Sequence, residues 1–445
     1  MKNIFLGLVF VFTGLHSVAS EYCLSENYQS GPCRPPQFVN VSFDGNYNLD
    51  LWNELIDFGN RNSAKFTFFI SGVTYLHQDV HDSSNPFSRN QYEAPKILKR
   101  GHSRVLFARD GMASTASSKT LAFYENYGLD KHNYLSQIQT RYLTGLRAVY
   151  DGHELGTHGN GHYYGGSPEG GIPGYENASD SQKRYKAYAL DWSEEDWAYE
   201  FSQFFKFAFD NAELAKIENV FKNVFSRETE LSPIMDLHNV VSSVKSSVKG
   251  MRAPYLSNNE SMYKALKASG MTYDSSVVSP DHRLWPHKKH GIWLYGIPML
   301  KFPGHSKKIL GMDYNMGVSN VSEESAYSAW MESFEELYDG NRAPLNLGMH
   351  VFNIKMSKNP GAGAVYLKAM KRVLKEVCHR PEVICGTYTE LTAFLNRFER
   401  QIGEFQNSSA FVDSGDGIDS EYVLRHGEFR QLPLDCGHVH GGEVL

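Results

Sequence analysis

The segment Thr157-His158-Gly159-Asn160-Gly161-His162 sets two imidazoles four residues apart among glycines. Neutral imidazole is a good ligand for zinc, cobalt or nickel. Glycine lets the main chain turn tightly enough to bring two rings onto one ion. A chance pair of surface histidines is the competing reading. Asp44 closes the apolar run Phe38-Val39-Asn40-Val41-Ser42-Phe43. It is either a carboxylate delivered by a strand end for proton transfer or a turn residue of the Asp-Gly kind. His350 sits between Met349 and Val351 in an apolar run, as a buried core histidine or a placed acid–base group. Arg252 precedes Ala253-Pro254-Tyr255, where proline stiffens the loop and fixes the direction of its neighbours.

The elements that must position these groups are legible in outline. Residues 37–44 read as a strand running into a loop, 49–61 carry a helical rhythm, and 64–72 read as a second strand stopped by glycine. Strand, helix, strand opens an α/β layered or barrel fold. Residues 75–140 break the rhythm and read as an insertion over the rim. A helix ending at Gly152 then feeds a short strand and the glycine-rich histidine loop. Trp197, Phe201, Phe205 and Phe209 recur every fourth residue within a helical stretch from 188 to 224, a packing stripe. Further on, 322–340 reads as a helix with an acidic first turn, 346–354 as a strand, and 364–377 and 389–400 as helices.

Residues 1–20 have a lysine near the start, a short apolar run and small residues at the end, the pattern of a cleaved signal peptide. The expected location is secreted or periplasmic, with no integral membrane segment once the leader is removed. Oxidation is then permitted, and Cys23 with Cys33 and Cys378 with Cys385 are plausible disulfides, leaving Cys436 over. The net charge of −6 is dispersed and no basic block marks a nucleic-acid groove, so no nucleic-acid partner is expected. With 27 Phe, 26 Tyr and 6 Trp the chain has rings for both a core and a sugar cleft.

Taken together and in order, Ser42–Asn48, Ala64–Gly72, Gly152–His162, Met251–Ser257, Tyr273–Ser276 and Leu347–His350 resemble the polysaccharide deacetylases, the family of chitin and peptidoglycan N-acetylglucosamine deacetylases. The resemblance covers about residues 37–355 apart from the insertion. It implies an irregular (β/α) barrel with an inserted region and a small C-terminal appendage: a catalytic domain over 21–400 and a polar extension over 401–445. It also implies hydrolysis of N-acetyl groups in a cell-wall or chitin-type polysaccharide, with a divalent ion, zinc above cobalt or nickel, held by His158 and His162. Asp44 would be the base, Arg252 its orienting partner, Tyr255 an oxyanion donor through its main-chain N–H, and His350 the acid. An acidic partner for His350 is implied near Tyr273–Ser276, and neither Asp274 nor Asp281 is singled out for it. Trp285 is a candidate wall of the sugar pocket, with a structural role as the alternative.

The first motif departs from the family. Where the family pattern has two consecutive aspartates, base then metal ligand, this chain has Asp44 then Gly45. Asn46 and Asp50 are the nearest replacements, and Asp44 serving as both ligand and base is the third. A glycan-binding protein without turnover is the alternative function.

Overall fold

The computed structural model describes residues 33–77, 82, 84–95, 118–167, 191–210, 217–228, 237–351 and 362–407. Residues 1–20, Cys23, Cys436, part of the stretch 75–140 expected as an insertion and most of 401–445 lie outside these. The chain divides into two units, Met1–Pro36 and Gln37–Leu445, and everything below concerns the second.

Strand β1 (Gln37–Asp44) is buried along its whole length, as a strand covered on both faces must be. It pairs in parallel with β2 (Phe66–Ile70), and the parallel order continues through β3 (Glu154–Thr157), β4 (Gly250–Met251), β5 (Tyr273–Ser279) and β7 (Ile292–Leu300). Two strands lie antiparallel to β7, namely β6 (His287–Lys289) and β8 (Ile309–Leu310). On the other side of β1 lies β9 (Leu345–His350), also parallel, while β10 (Val383–Ile384) pairs with the first two residues of β1. The seam between β7 and β9 is spanned by a side chain: Asn346 Nδ2 donates to Gly296 O at 3.2 Å. The result is seven parallel strands curled into an irregular ring that is open at that seam, with no backbone ladder between β7 and β9.

Parallel strands need long crossovers, and here helices supply most of them. Helix Leu49–Arg61 buries Leu51, Trp52, Leu55, Ile56 and Phe58, and Asn48 caps it by accepting from Leu51 N–H. Phe43, Phe68 and Trp52 stack between strands and helix, with centroids 5.6 and 5.5 Å apart. Helix Glu194–Phe209 is fixed by a Ser193–Asp196 capping box. It buries Trp197, Phe201, Phe204 and Phe207, whereas Phe205 is half-buried. No helix among the described residues is long and apolar enough to cross a membrane.

Alternate residues of β1 point inward. Asn40, Ser42 and Asp44 are therefore buried polar groups within the ring, each with a partner. Helix Tyr388–Arg397 closes the amino end of the ring by inserting Tyr388, which stacks on Tyr295 at 4.9 Å. Buried Glu154 ties that end together, accepting from Thr67, Tyr273 and Thr389. The Cys378–Cys385 disulfide forms, joining the end of helix Ala362–Val377 to the residue after β10.

Candidate active site

Asp44 and His350 end adjacent parallel strands and are partners in register. Neighbouring strands run about 5 Å apart, so a carboxylate and an imidazole emerge side by side at the carboxyl end of the ring. Each has its own counter-charge. Arg252 Nη1 donates to Asp44 Oδ1 at 3.0 Å, with both side chains buried. His350 Nδ1 meets Asp313 Oδ1 at 2.7 Å, and the His350 main-chain N–H donates to Asp313 Oδ2 at 3.0 Å. Because a carboxylate accepts, Nδ1 carries the proton.

Arg252 is fully buried and fully used. Its Nε donates to Ser275 O, and its Nη2 donates to Ser42 Oγ at 2.7 Å and to Ser275 Oγ at 2.8 Å. Phe69 lies under the guanidinium at 4.7 Å, a cation–π contact. The Tyr273–Ser276 motif is therefore a brace. Ser275 holds Arg252, and Ser276 accepts from Ala253 N–H at 2.7 Å while donating to Asp274 at 2.6 Å. Burial raises the Asp274 carboxyl to about 7. Asp281 is bound by Arg283. Neither acid touches His350. Its partner is Asp313, in the first turn of helix Asp313–Val318.

His158 follows β3 directly. Its Nδ1 lies 2.7 Å from Arg252 O, and since a carbonyl only accepts, Nε2 is left with its lone pair. Gly159 at φ +68° and His162 at φ +57° turn the loop back, leaving the two rings 5.2 Å apart. Burial lowers the pKa of both imidazoles, well below the usual value for His162. His350 goes the other way: burial pulls it down, but Asp313 and Asp44 more than compensate and raise it. Two imidazoles kept neutral thus stand beside one that keeps its proton. Tyr255 takes a left-handed conformation at φ 58° and sets its ring 4.7 Å from that of His162. Tyr164 follows at 6.2 Å from Tyr255.

The structure thus brings Asp44, His158, His162, Arg252, Tyr255 and His350 together, and it does not bring Trp285. That indole is buried, donates to Asn341 O at 3.1 Å and packs on Phe394 and Phe405. Asn341 precedes β9, so Trp285 stands at the amino end of the ring, opposite His350. The loop after β5 turns back along the ring before β6 begins, which carries Trp285 away from the cleft. It is a packing residue.

The residues at the carboxyl end do not fit a three-ligand metal ion of the kind zinc hydrolases use. Among the described residues no three His, Cys, Asp or Glu side chains converge to hold one. His158 and His162 are suitable donors. The expected replacements are committed elsewhere: Asn46 accepts from Ser71 N–H and donates to Thr74, and Asp50 accepts from Thr120. The space a side chain at Gly45 would enter holds the ring of Tyr47.

No family model and no curated protein matches the chain. Solved structures do. It is similar to structures of polysaccharide deacetylases. A Mycobacterium smegmatis protein assigned to them is 13% identical, with a TM-score of 0.41, over 83% of this chain and 94% of that one. A family 4 carbohydrate esterase of Streptomyces lividans, solved with acetate, is 10% identical with a TM-score of 0.29, over 78% and 90%. A pseudoenzyme of the same esterase family from Bacillus anthracis is 10% identical with a TM-score of 0.33, over 82% and 70%. Side-chain geometry, rather than these likenesses, carries the functional reading.

Proposed function

We propose that this chain is a member of the polysaccharide deacetylase family. Its carboxyl-end cleft binds an N-acetylated polysaccharide, with N-acetylglucosamine in a β-1,4 polymer as the unit, and hydrolyses the acetamide. One observation supports this above others: Asp44 and His350 are register partners, each with a separate buried counter-charge. A carboxylate paired with Arg252 and an imidazole held protonated by Asp313 are the base and acid that amide hydrolysis requires.

In this reading Asp44 takes a proton from water as the water oxygen bonds to the acetyl carbon. The lone pair of His158 Nε2 orients that water. The carbonyl electron pair moves onto oxygen, where the Tyr255 main-chain N–H stabilises it. When the C–N bond breaks, His350 Nε2 delivers its proton to the departing nitrogen, giving acetate and a free amine. The rings of Tyr255 and Tyr164 offer apolar faces to the pyranose. No step is assigned to a metal ion.

The second reading, glycan binding without turnover, is favoured by the ring of Tyr47 beside Gly45. Acetate release from an N-acetylglucosamine oligomer, measured alongside binding of the same oligomer, separates the two. Acetate supports the enzyme, binding alone supports the second reading, and neither defeats both. We further propose export, since residues 1–20 read as a cleaved leader. Mass measurement of the mature N-terminus tests this, and an intact Met1 on cytosolic protein contradicts it.

A further inference from the structure

Helix Glu194–Phe209 presents an aromatic face to the core, and in the middle of that face stands a carboxylic acid. Glu200 is 2% exposed, with Trp197 one turn before it and Phe204 one turn after it on the buried face. A buried carboxylate is costly unless hydrogen-bonded, and one oxygen of this one is given to the histidine loop. Glu200 Oε1 accepts from Asn160 N–H at 2.6 Å. Asn160 Nδ2 donates back to Glu200 O at 2.8 Å. Glu200 Oε2 accepts from buried Tyr92 at 3.1 Å, which anchors the carboxylate from outside the loop.

Asn160 is the midpoint between His158 and His162. Its neighbour Gly159 lies directly beneath the carboxylate: a Cβ there would sit 3.1 Å from Glu200 Oε1. From the opposite side Gly72 N–H donates to Gly159 O at 2.9 Å. The loop is thereby clamped between the turn after β2 and helix Glu194–Phe209. The clamp has strain to hold, because His162 sits at φ +57°, a conformation few non-glycine residues adopt.

We infer that Glu200 is a positioning residue for the reaction centre, fixing the relative placement of the His158 and His162 imidazoles through Asn160. The inference rests on the reading of this end of the ring as the reaction centre. Glu200 touches neither imidazole, and its action is confined to the main chain between them. A carboxamide supplies the same Oε1 acceptor to Asn160, whereas leucine supplies none and aspartate falls one methylene short.

The test compares Glu200→Gln, Glu200→Leu and Glu200→Asp in the full chain. Imidazole ¹H–¹⁵N correlation spectra and acetate release are recorded, with circular dichroism to verify folding. Glu200→Gln is expected to keep the wild-type imidazole spectrum. Glu200→Leu and Glu200→Asp are expected to shift the His158 and His162 resonances while leaving those of His350 in place. They should also lower kcat by about tenfold or more at nearly constant KM, since misplacement by about 1 Å can cost up to 10²-fold. A folded Glu200→Leu or Glu200→Asp protein with the wild-type imidazole spectrum overturns the inference. If Glu200→Leu does not fold, Glu200→Asp decides. If the wild-type protein releases no acetate, the proposed activity fails, and the spectra still decide the role of Glu200.

Discussion

The ring of Tyr47 lies where a side chain on Gly45 would begin. A Cβ placed on Gly45 would stand 2.5 Å from Cε2 and 2.7 Å from Cδ2 of Tyr47. Gly45 has φ +80°, which strains any side chain, aspartate less than most, so the main chain resists a carboxylate there without by itself forbidding it. The ring forbids it. It is also anchored, because the Tyr47 hydroxyl lies 3.2 Å from Ser71 Oγ. Gly45→Asp alone should therefore leave zinc binding unchanged, whereas Gly45→Asp with Tyr47→Ala should tighten it by tenfold or more, about 1.4 kcal/mol. Titration calorimetry on folded protein reads both. Equal tightening by the single substitution would show that Tyr47 is no barrier.

His350 governs the alkaline side of the pH profile. Burial alone would lower its pKa, and the Asp313 and Asp44 carboxylates outweigh burial, so the imidazole holds its proton above the ordinary histidine value. An acid that must be protonated loses function as pH rises through its pKa. Turnover should therefore fall on an alkaline limb lying above about 6.5. Asp313→Asn removes the nearest negative charge and should move that limb to lower pH. His350→Ala should lower turnover by roughly 10²–10⁴-fold while oligosaccharide binding persists. An unchanged limb in Asp313→Asn would remove His350 from the acid role.

The strand ends were the legible part of this site. Asp44 and His350 each terminate an apolar run, and a polar residue at such a point needs a reason, which the register of β1 and β9 supplies. Asp313 was hidden for a topological reason. It lies 37 residues before His350, beyond β7 and β8, and β7 itself contains glycine and proline that mask its strand character. The four-residue aromatic rhythm of the helix after Ser193 is a packing rhythm, and Glu200 lies off it on the same buried face. The Tyr273–Ser276 motif pointed to an acid for His350. Its groups instead face Arg252 and the loop after it, because Asp274 spends both its oxygens on Ser276.

Arg252 joins Asp44, Ser42 and Ser275 through one buried guanidinium, the counter-charge of Asp44. Arg252→Ala leaves a carboxylate buried beside an empty volume, and removing one partner of a buried pair costs about 3–5 kcal/mol. Arg252→Lys keeps the charge but cannot reproduce a planar fork that reaches all these acceptors. Urea unfolding should show a large loss for alanine and a smaller one for lysine. Turnover should fall in both, since Asp44 is no longer held in orientation. A lysine variant with wild-type activity would show that orientation of Asp44 is not what Arg252 provides.

Trp285 and Tyr255 make opposite predictions for one pair of measurements. The Trp285 indole N–H is used by Asn341 O, and its rings are enclosed by Phe394 and Phe405 at the amino end of the ring. Trp285→Phe removes that donor and some packing. It should cost about 1–3 kcal/mol of stability, the penalty for stranding a buried acceptor, while oligosaccharide affinity stays at the wild-type value. Tyr255 is half-buried beside His162 at the other end, with Tyr164 next to it. Tyr255→Ala should weaken oligosaccharide binding, because a ring face against a pyranose is lost. It should change stability less than Trp285→Phe, since a left-handed Tyr255 contributes strain as well as contact. Isothermal titration with an N-acetylglucosamine oligomer, paired with thermal unfolding, reads both variants. Reduced affinity in Trp285→Phe at unchanged stability would return Trp285 to the sugar pocket, and wild-type affinity in Tyr255→Ala would remove Tyr255 from it.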